Sequence, residues 1–230
     1  MVTAALLPMK ANSERVKGKN FREFHGKPLF RWILDTLYDI PEIDFIVINT
    51  DARDLLARNG LVESDRIRIR DRRPDICGDL ISMNTIIADD VEHVTADRFL
   101  MTHTTNPLLQ PQTIRKAIKA FGDALLSGSA DSLFTVNRLQ TRLYDEACVA
   151  LNHDPNKLLP TQHLSPLFEE NSNLYLFTSS SFAQTEARIG QRPMMFECGR
   201  LESVDIDTEE DWIFAKAAAS FFQTKASDLL

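Results

Sequence analysis

Hydrophobic positions along this chain alternate between two regimes. Thr3 to Leu7 and Phe45 to Thr50 are short, nearly continuous apolar runs rich in β-formers, the pattern of strands covered on both faces of a parallel sheet. Between them, Lys27 to Ile40 sets Leu29, Trp32, Ile33, Leu37 and Ile40 at helical spacing, with Pro28 at a tolerated first-turn position. The spacing predicts a strand–helix–strand unit. Asp51 to Asn59 continues as a helix closed by Gly60, and Arg66 to Arg70 alternates arginine with Ile67 and Ile69 as a strand buried on one side. Ser82 to Val94 is predicted helical, Arg98 to Thr102 a strand, and Pro111 to Leu126 a helix with Ile114, Ala117, Ile118, Phe121 and Leu125 inward.

After Leu133 to Val136 the rhythm breaks. Residues 139–172 hold strand-like fragments, turn signals at Asn152 to Asn156 and the prolines Pro160 and Pro166, which predicts a small lobe inserted into a single domain spanning 1–230. Strands are then expected at Asn173 to Thr178, Met194 to Glu197 and Leu201 to Ile206. A helix from Thr208 to Phe222 follows, its start marked by the capping-box spacing of Thr208 and Asp211. The expectation is an α/β fold with a mostly parallel three-layer sheet.

Composition excludes several classes. No apolar run reaches a membrane-spanning length and no leader pattern opens the chain, so a cytoplasmic protein is expected. The net charge of −7 argues against a general nucleic-acid surface. Cys77, Cys148 and Cys198 lack the paired spacing of a zinc site and suit reduced thiols. There is no Gly-x-Gly-x-x-Gly, P-loop or Gly-x-Ser-x-Gly signature.

Three stretches carry candidate chemistry. The loop after the first strand gathers Lys10, Arg15, Lys17 and Lys19 with Ser13 and Gly18, a set suited to a triphosphate, although the same run fits a solvated basic loop. Asp205 and Asp207, two residues apart on an extended segment, present two carboxylates to one side, as magnesium beside phosphates requires; an exposed strand end is the simpler alternative. Arg73 and Ser82 flank the entry to a helix whose free N–H groups suit an anion.

With these segments in place, the chain resembles the acylneuraminate cytidylyltransferase family, which includes the synthetases of CMP-sialic acid and related CMP-activated acidic sugars. The resemblance rests on Leu-Pro-Met-Lys-Ala-Asn-Ser-Glu-Arg-Val-Lys-Gly-Lys-Asn at 7–20, His-Gly-Lys-Pro-Leu at 25–29, Asn-Thr-Asp at 49–51, Arg-Pro at 73–74, Thr-Asn-Pro-Leu at 105–108 and Asp205-Ile206-Asp207-Thr208. It implies a nucleotide-diphospho-sugar transferase type of fold and transfer of CMP from CTP to the anomeric hydroxyl of an acidic sugar. It also implies magnesium on Asp205 and Asp207, and a homodimer formed through the inserted lobe. Catalytic roles fall to Lys10, Lys19 and Asp207. Lys10, Ser13, Arg15, Lys19, Asn20, Arg73 and Ser82 would meet the nucleotide, with Arg72 one residue away as the alternative to Arg73. Lys10 stands where the family usually has arginine. His103, Arg142 and Asn171 would meet the sugar; His103 replaces a glutamine and is open to reading as a donor, a base or a structural strand-end residue. Glu169 and Glu170 depart from the family pattern. A polyol phosphate acceptor and a catalytically silent nucleotide-sugar-binding subunit are the rival readings.

Overall fold

A computed structural model describes residues 1–227, with side chains described through residue 222. The apolar runs become a seven-stranded sheet. β1 (Thr3–Leu6) enters a long loop, followed by a small hairpin of β2 (Glu23–Phe24) and β3 (Lys27–Pro28) and by α1 (Leu29–Tyr38). Then come β4 (Phe45–Thr50), α2 (Arg53–Arg58), β5 (Ile67–Asp71), α3 (Met83–His93), β6 (Arg98–Thr102) and α4 (Pro111–Ser127). The second half contributes β7 (Ser132–Leu139), β8 (Leu167–Phe177), α5 (Ser179–Thr185), β9 (Pro193–Glu197) and α6 (Glu209–Ser227).

The strand order is β5-β4-β1-β6-β8-β7-β9. β1 is parallel to both β4 and β6, whereas β8 runs antiparallel to its neighbours β6 and β7. The chain winds outward from β1 in one direction and then in the other, which opens a crevice beyond the carboxyl end of β1, where α/β sheets bind ligands.

Alternation within each strand builds the layers. Ala5, Ile46, Ile48 and Leu100 pack with Phe30, Ile33 and Leu34 of α1 and Ile114, Ile118 and Phe121 of α4 on one face. Ala4, Leu6, Phe45, Val47, Phe99 and Met101 face the other way, onto Ile87 of α3 and Phe182 of α5. A third cluster joins Val16 of the opening loop, Phe24, Leu29 and Leu108 to Val204, Ile206 and Trp212. It ties the opening loop to the segment that carries Asp205 and Asp207.

The structure corrects some boundaries. Pro28 caps α1 from the hairpin and is not inside its first turn. β8 begins six residues before Asn173, so Leu139 and residues 167–172 belong to the sheet and the excursion outside it covers 140–166. α5 is an unforeseen helix, started by a capping box between Thr178 and Ser181. No strand forms at Leu201 to Ile206: the segment is extended only near its end, where Val204 and Ile206 bury against α6 and not within a sheet. The expected Thr208–Asp211 reciprocal cap is present, with Asp211 accepting from the Thr208 N–H at 2.7 Å and Thr208 accepting from the Asp211 N–H at 3.2 Å.

Candidate active site

A cleft of about 480 Å³ opens over the carboxyl ends of β1 and β6. Its walls come from the opening loop (Lys10, Ser13, Arg15, Lys19, Asn20), the β6 exit (His103, Thr104, Thr105) and the pair Asp205 and Asp207, with Arg72 and Arg188 closing the sides.

The opening loop is a fixed structure. Val16 is buried in the third apolar cluster, and Gly18 adopts φ 61°, a left-handed turn that glycine makes without steric cost. This turn starts a short 3₁₀ segment that drives Lys19 and Asn20 inward. Asn20 donates to the Lys10 carbonyl at 2.8 Å and accepts from the Thr104 hydroxyl at 2.6 Å, so β1's loop and β6's exit are bonded to each other.

Charge is concentrated at one wall. Lys19 donates to the Ile206 carbonyl at 2.5 Å and lies 3.4 Å from Asp207, whose same oxygen meets Arg15 at 2.9 Å. Burial lowers the Lys19 ammonium below the usual lysine range, while Asp207 and Asp205 oppose that shift. Lys10 pairs with Asp79 across the mouth of the cleft, and this bond holds the Asp79 carboxyl below its ordinary range. Asp205 faces the cleft beside Asp207, and its Oδ1 is buried with no hydrogen-bond partner. Burial pushes its carboxyl up, Asp207 adds to that, and Thr105 and Lys19 oppose it. An orphaned buried carboxylate oxygen next to a second carboxylate fits a hard cation that takes two protein oxygens and fills its remaining positions from phosphates and water.

Of the two adjacent arginines, Arg72 and not Arg73 belongs to the cleft. Arg73 is exposed and forks onto Asp75 at 3.1 and 2.6 Å. Arg72 is buried, donating to Asn49 Oδ1 at 2.9 Å, the Asn49 carbonyl at 2.8 Å and the Met9 carbonyl at 3.2 Å. All three acceptors are neutral, and burial lowers its pKa, so this guanidinium is a buried cation suited to an incoming anion. Ser82 is likewise outside the cleft lining; its hydroxyl caps α3 by accepting from the Asn84 N–H at 3.3 Å.

Two expected sugar contacts are also placed elsewhere. Arg142 is outside the cleft and donates to the Leu159 carbonyl within the lobe at 2.7 Å. Asn171 is buried at the irregularity between β7 and β8, accepting from Thr135 at 2.7 Å and donating to Asn137 at 3.0 Å; its neighbour Ser172 lines the cleft instead. His103 is in the lining, but it is a poor base: burial first, then Arg188 and Lys19, push its imidazole down to about 3. Arg188, absent from the sequence expectations, donates toward His103 Nε2 at 3.4 Å. A guanidinium only donates, so that nitrogen serves as acceptor.

Behind Arg72, Asn49 donates to Asp90 at 2.8 Å and to Asp89 at 3.2 Å, while Arg70 pairs with Asp89 at 2.9 Å. Burial raises the Asp90 carboxyl to about 6. A raised folded-state value stabilises the fold below the ordinary carboxylate range, and that contribution disappears as pH rises through about 6. Denaturant unfolding from pH 4 to 7 is therefore expected to show wild type losing stability relative to Asp90→Asn, by up to about 3 kcal/mol. A constant difference between the two proteins across that range would overturn this assignment.

Comparison with known proteins decides the family. The Cytidylyltransferase family model matches residues 4–223. The chain belongs to the cytidylyltransferase family. Among curated relatives of this cytidylyltransferase, the CMP-N,N'-diacetyllegionaminic acid synthase of Legionella pneumophila is 25% identical over 90% of this chain and 92% of its own. The pseudaminic acid cytidylyltransferase of Campylobacter jejuni serotype O:2 is 20% identical over 94% and 95%. The fold is shared with the 4-diphosphocytidyl-2C-methyl-D-erythritol synthase of Anaerococcus prevotii, at TM-score 0.68 and 14% identity over 95% of this chain and 96% of that one. It is shared too with a CMP:2-keto-3-deoxy-manno-octonic acid synthetase solved with CTP, at TM-score 0.62 and 14% identity over 97% and 100%.

Proposed function

We propose that this cytidylyltransferase transfers CMP from CTP to the anomeric hydroxyl of an acidic sugar of the nonulosonate class, releasing pyrophosphate. The observation that carries the reading is the convergence of Lys10, Arg15, Lys19 and the Asp205–Asp207 pair on one cleft. The names of the curated relatives support the acceptor class. In the reaction the sugar hydroxyl oxygen bonds to the α-phosphorus, its proton passing to water in the open cleft, as the bond from that phosphorus to the pyrophosphate oxygen breaks. Positioning and charge neutralisation dominate such a step. Lys19, fixed at the cleft floor, and the more exposed Lys10 and Arg15 neutralise the departing pyrophosphate. Asp205 and Asp207 would hold magnesium, which when bound supplies further neutralisation of phosphate charge. Arg72 offers its remaining N–H groups to the nucleotide. His103 is a polar wall residue in this reading.

Pyrophosphate release tests it, measured from CTP, ATP, GTP and UTP against N,N'-diacetyllegionaminic acid, pseudaminic acid and a polyol phosphate, with magnesium and with chelator. Release requiring CTP, metal and one of the acidic sugars is expected. Release only with the polyol phosphate, or CTP binding without turnover, would replace the reading by one of its rivals.

The assembly belongs to the same reading. We infer a homodimer through the lobe, where Tyr144, Val149, Leu151, Leu158 and Leu159 are exposed apolar side chains on one short stretch of chain. Light scattering is expected to give twice the 26.1 kDa chain mass, and Leu158→Asp to shift it toward the monomer. A monomeric wild type would overturn the inference. Among the described residues no helix is long and apolar enough to cross a membrane.

A further inference from the structure

We propose that Arg188 recognises the carboxylate of the acceptor sugar and thereby sets specificity for an acidic substrate. The inference rests on the acidic-sugar reading above and names the side chain that would enforce it.

The placement comes from the topology. The opening loop and its cations leave β1, whereas Arg188 packs its guanidinium over the ring of Tyr175 on β8, with Cζ 3.8 Å from the ring centroid. β6 lies between those strands, and the guanidinium reaches over it, with Nη1 3.9 Å from Met101 Sδ. Arg188 and the opening loop line the same cleft. Lys10, Arg15 and Lys19 already serve the phosphate side. A further cation in that cleft, carried by the segment after α5 and not by the opening loop, is placed for a second anionic group, on the other substrate.

Its surroundings leave the fork available. The side chain is only 19% exposed, and its backbone N–H donates to Asn84 Oδ1 at 3.4 Å, anchoring it to the start of α3. The polar contacts of the guanidinium are long. Nη1 meets His103 Nε2 at 3.4 Å, and Nη2 meets Glu170 Oε1 at 3.5 Å. That glutamate oxygen is also the acceptor for the Tyr175 hydroxyl. His103 offers a neutral acceptor, and Glu170 offers one shared oxygen at the limit of hydrogen bonding. Elsewhere in this chain an arginine forks closely onto a carboxylate, Arg73 donating from Nε to Asp75 Oδ1 at 3.1 Å and from Nη2 to Asp75 Oδ2 at 2.6 Å. Arg188 has no such bidentate pair. A stacked, partly desolvated guanidinium held by long contacts is pre-oriented for a planar carboxylate, which would form two short charge-assisted bonds.

The placement also explains how a chain with Glu169 and Glu170 near its acceptor side could accept an acid. Glu169 turns to Asn137, accepting from its amide at 3.0 Å, and Glu170 Oε1 accepts from the Tyr175 hydroxyl. With Arg142 bonded inside the lobe, Arg188 is the cation that this chain's own fold brings to that end of the cleft.

The test is steady-state pyrophosphate release by wild type, Arg188→Met and Arg188→Lys, with CTP and either N,N'-diacetyllegionaminic acid or its carboxamide. Wild type is expected to prefer the acid by about 100-fold in kcat/KM. Arg188→Met should raise the KM for the acid by at least about 30-fold, change the KM for CTP by less than about threefold, and lose most of the preference over the carboxamide. Arg188→Lys, which keeps charge without the fork, should recover part of the preference; its unchanged CTP KM reports an intact nucleotide side. Wild-type turnover with undiminished acid preference in Arg188→Met would overturn this proposal alone. No turnover by wild type with this acid or with pseudaminic acid would overturn the acidic-sugar reading, and this proposal with it.

Discussion

Asp205→Asn is expected to lower turnover by about three orders of magnitude while making the metal-free protein more stable. Both effects come from one atom. Asp205 Oδ1 is buried without a partner, and burial is the first cause of the carboxyl's upward shift. A raised folded-state value makes the ionised form costly at neutral pH, so replacing it with a neutral amide of the same shape removes that cost. The gain is expected above the ordinary carboxylate range and should vanish in acid, where both side chains are neutral. Thermal unfolding in chelator at pH 7 and at pH 4 measures it. With magnesium and CTP the order should reverse, because wild type gains binding energy that the variant has lost. A loss of about 10³ in kcat corresponds to about 4 kcal/mol of transition-state stabilisation, an ordinary value for removing a group that neutralises developing charge. Turnover within tenfold of wild type, or a lower melting temperature in chelator at pH 7, would remove Asp205 from the metal-binding role.

Such a trade-off shows which parts of this molecule a sequence can reveal. The central strands were legible because β1, β4 and β6 are buried on both faces, which leaves continuous apolar runs bounded by turn residues. α4 was legible because Pro111 opens it and Gly128, in a left-handed conformation, follows its end. α5 was missed since Phe182 is its one large buried side chain and its serines suit a loop equally well. The start of β8 was missed for a related reason. Its residues 167–170 are exposed, and they pair with the end of β7 beyond a register irregularity, so no buried face marks them. Asp205 and Asp207 were found through their two-residue alternation, although the alternation is enforced by α6 and not by a sheet partner.

The arginines mark the limit. In β5 the buried positions are Ile67 and Ile69, and the inward alternation does not run on unbroken to Arg72, because the strand ends at Asp71. Choosing Arg72 over Arg73 requires knowing that the Asn49 side chain and carbonyl wait beside β5, and that is a long-range fact. Arg188 follows a helix that local pattern did not predict, and its importance lies in Tyr175 and His103, which are distant in sequence. Strand alternation and capping are local properties. The convergence of side chains from three strand ends is not.

Burial also ranks the cations of the opening loop. The Lys19 side chain is 9% exposed, against 39% for Lys10 and 65% for Arg15. A charge held in a low-dielectric floor acts on its neighbours with less screening than one in water, and it needs no reorganisation when charge develops beside it. Lys19→Met, which keeps much of the aliphatic stem, is therefore expected to lower kcat for pyrophosphate release by about 10³, with a modest change in the KM for CTP. Lys10→Met should cost about tenfold, mostly in the KM for CTP, because its exposed charge contributes to attraction more than to the chemical step. The structural component of Lys19 is separable. Its bond to the Ile206 carbonyl fixes the segment between the two aspartates, so Lys19→Arg, which retains a cation but not a compact ammonium, should restore only part of the rate. Equal losses for Lys19→Met and Lys10→Met would show that position along the loop, and not burial, governs how these cations act on the leaving pyrophosphate.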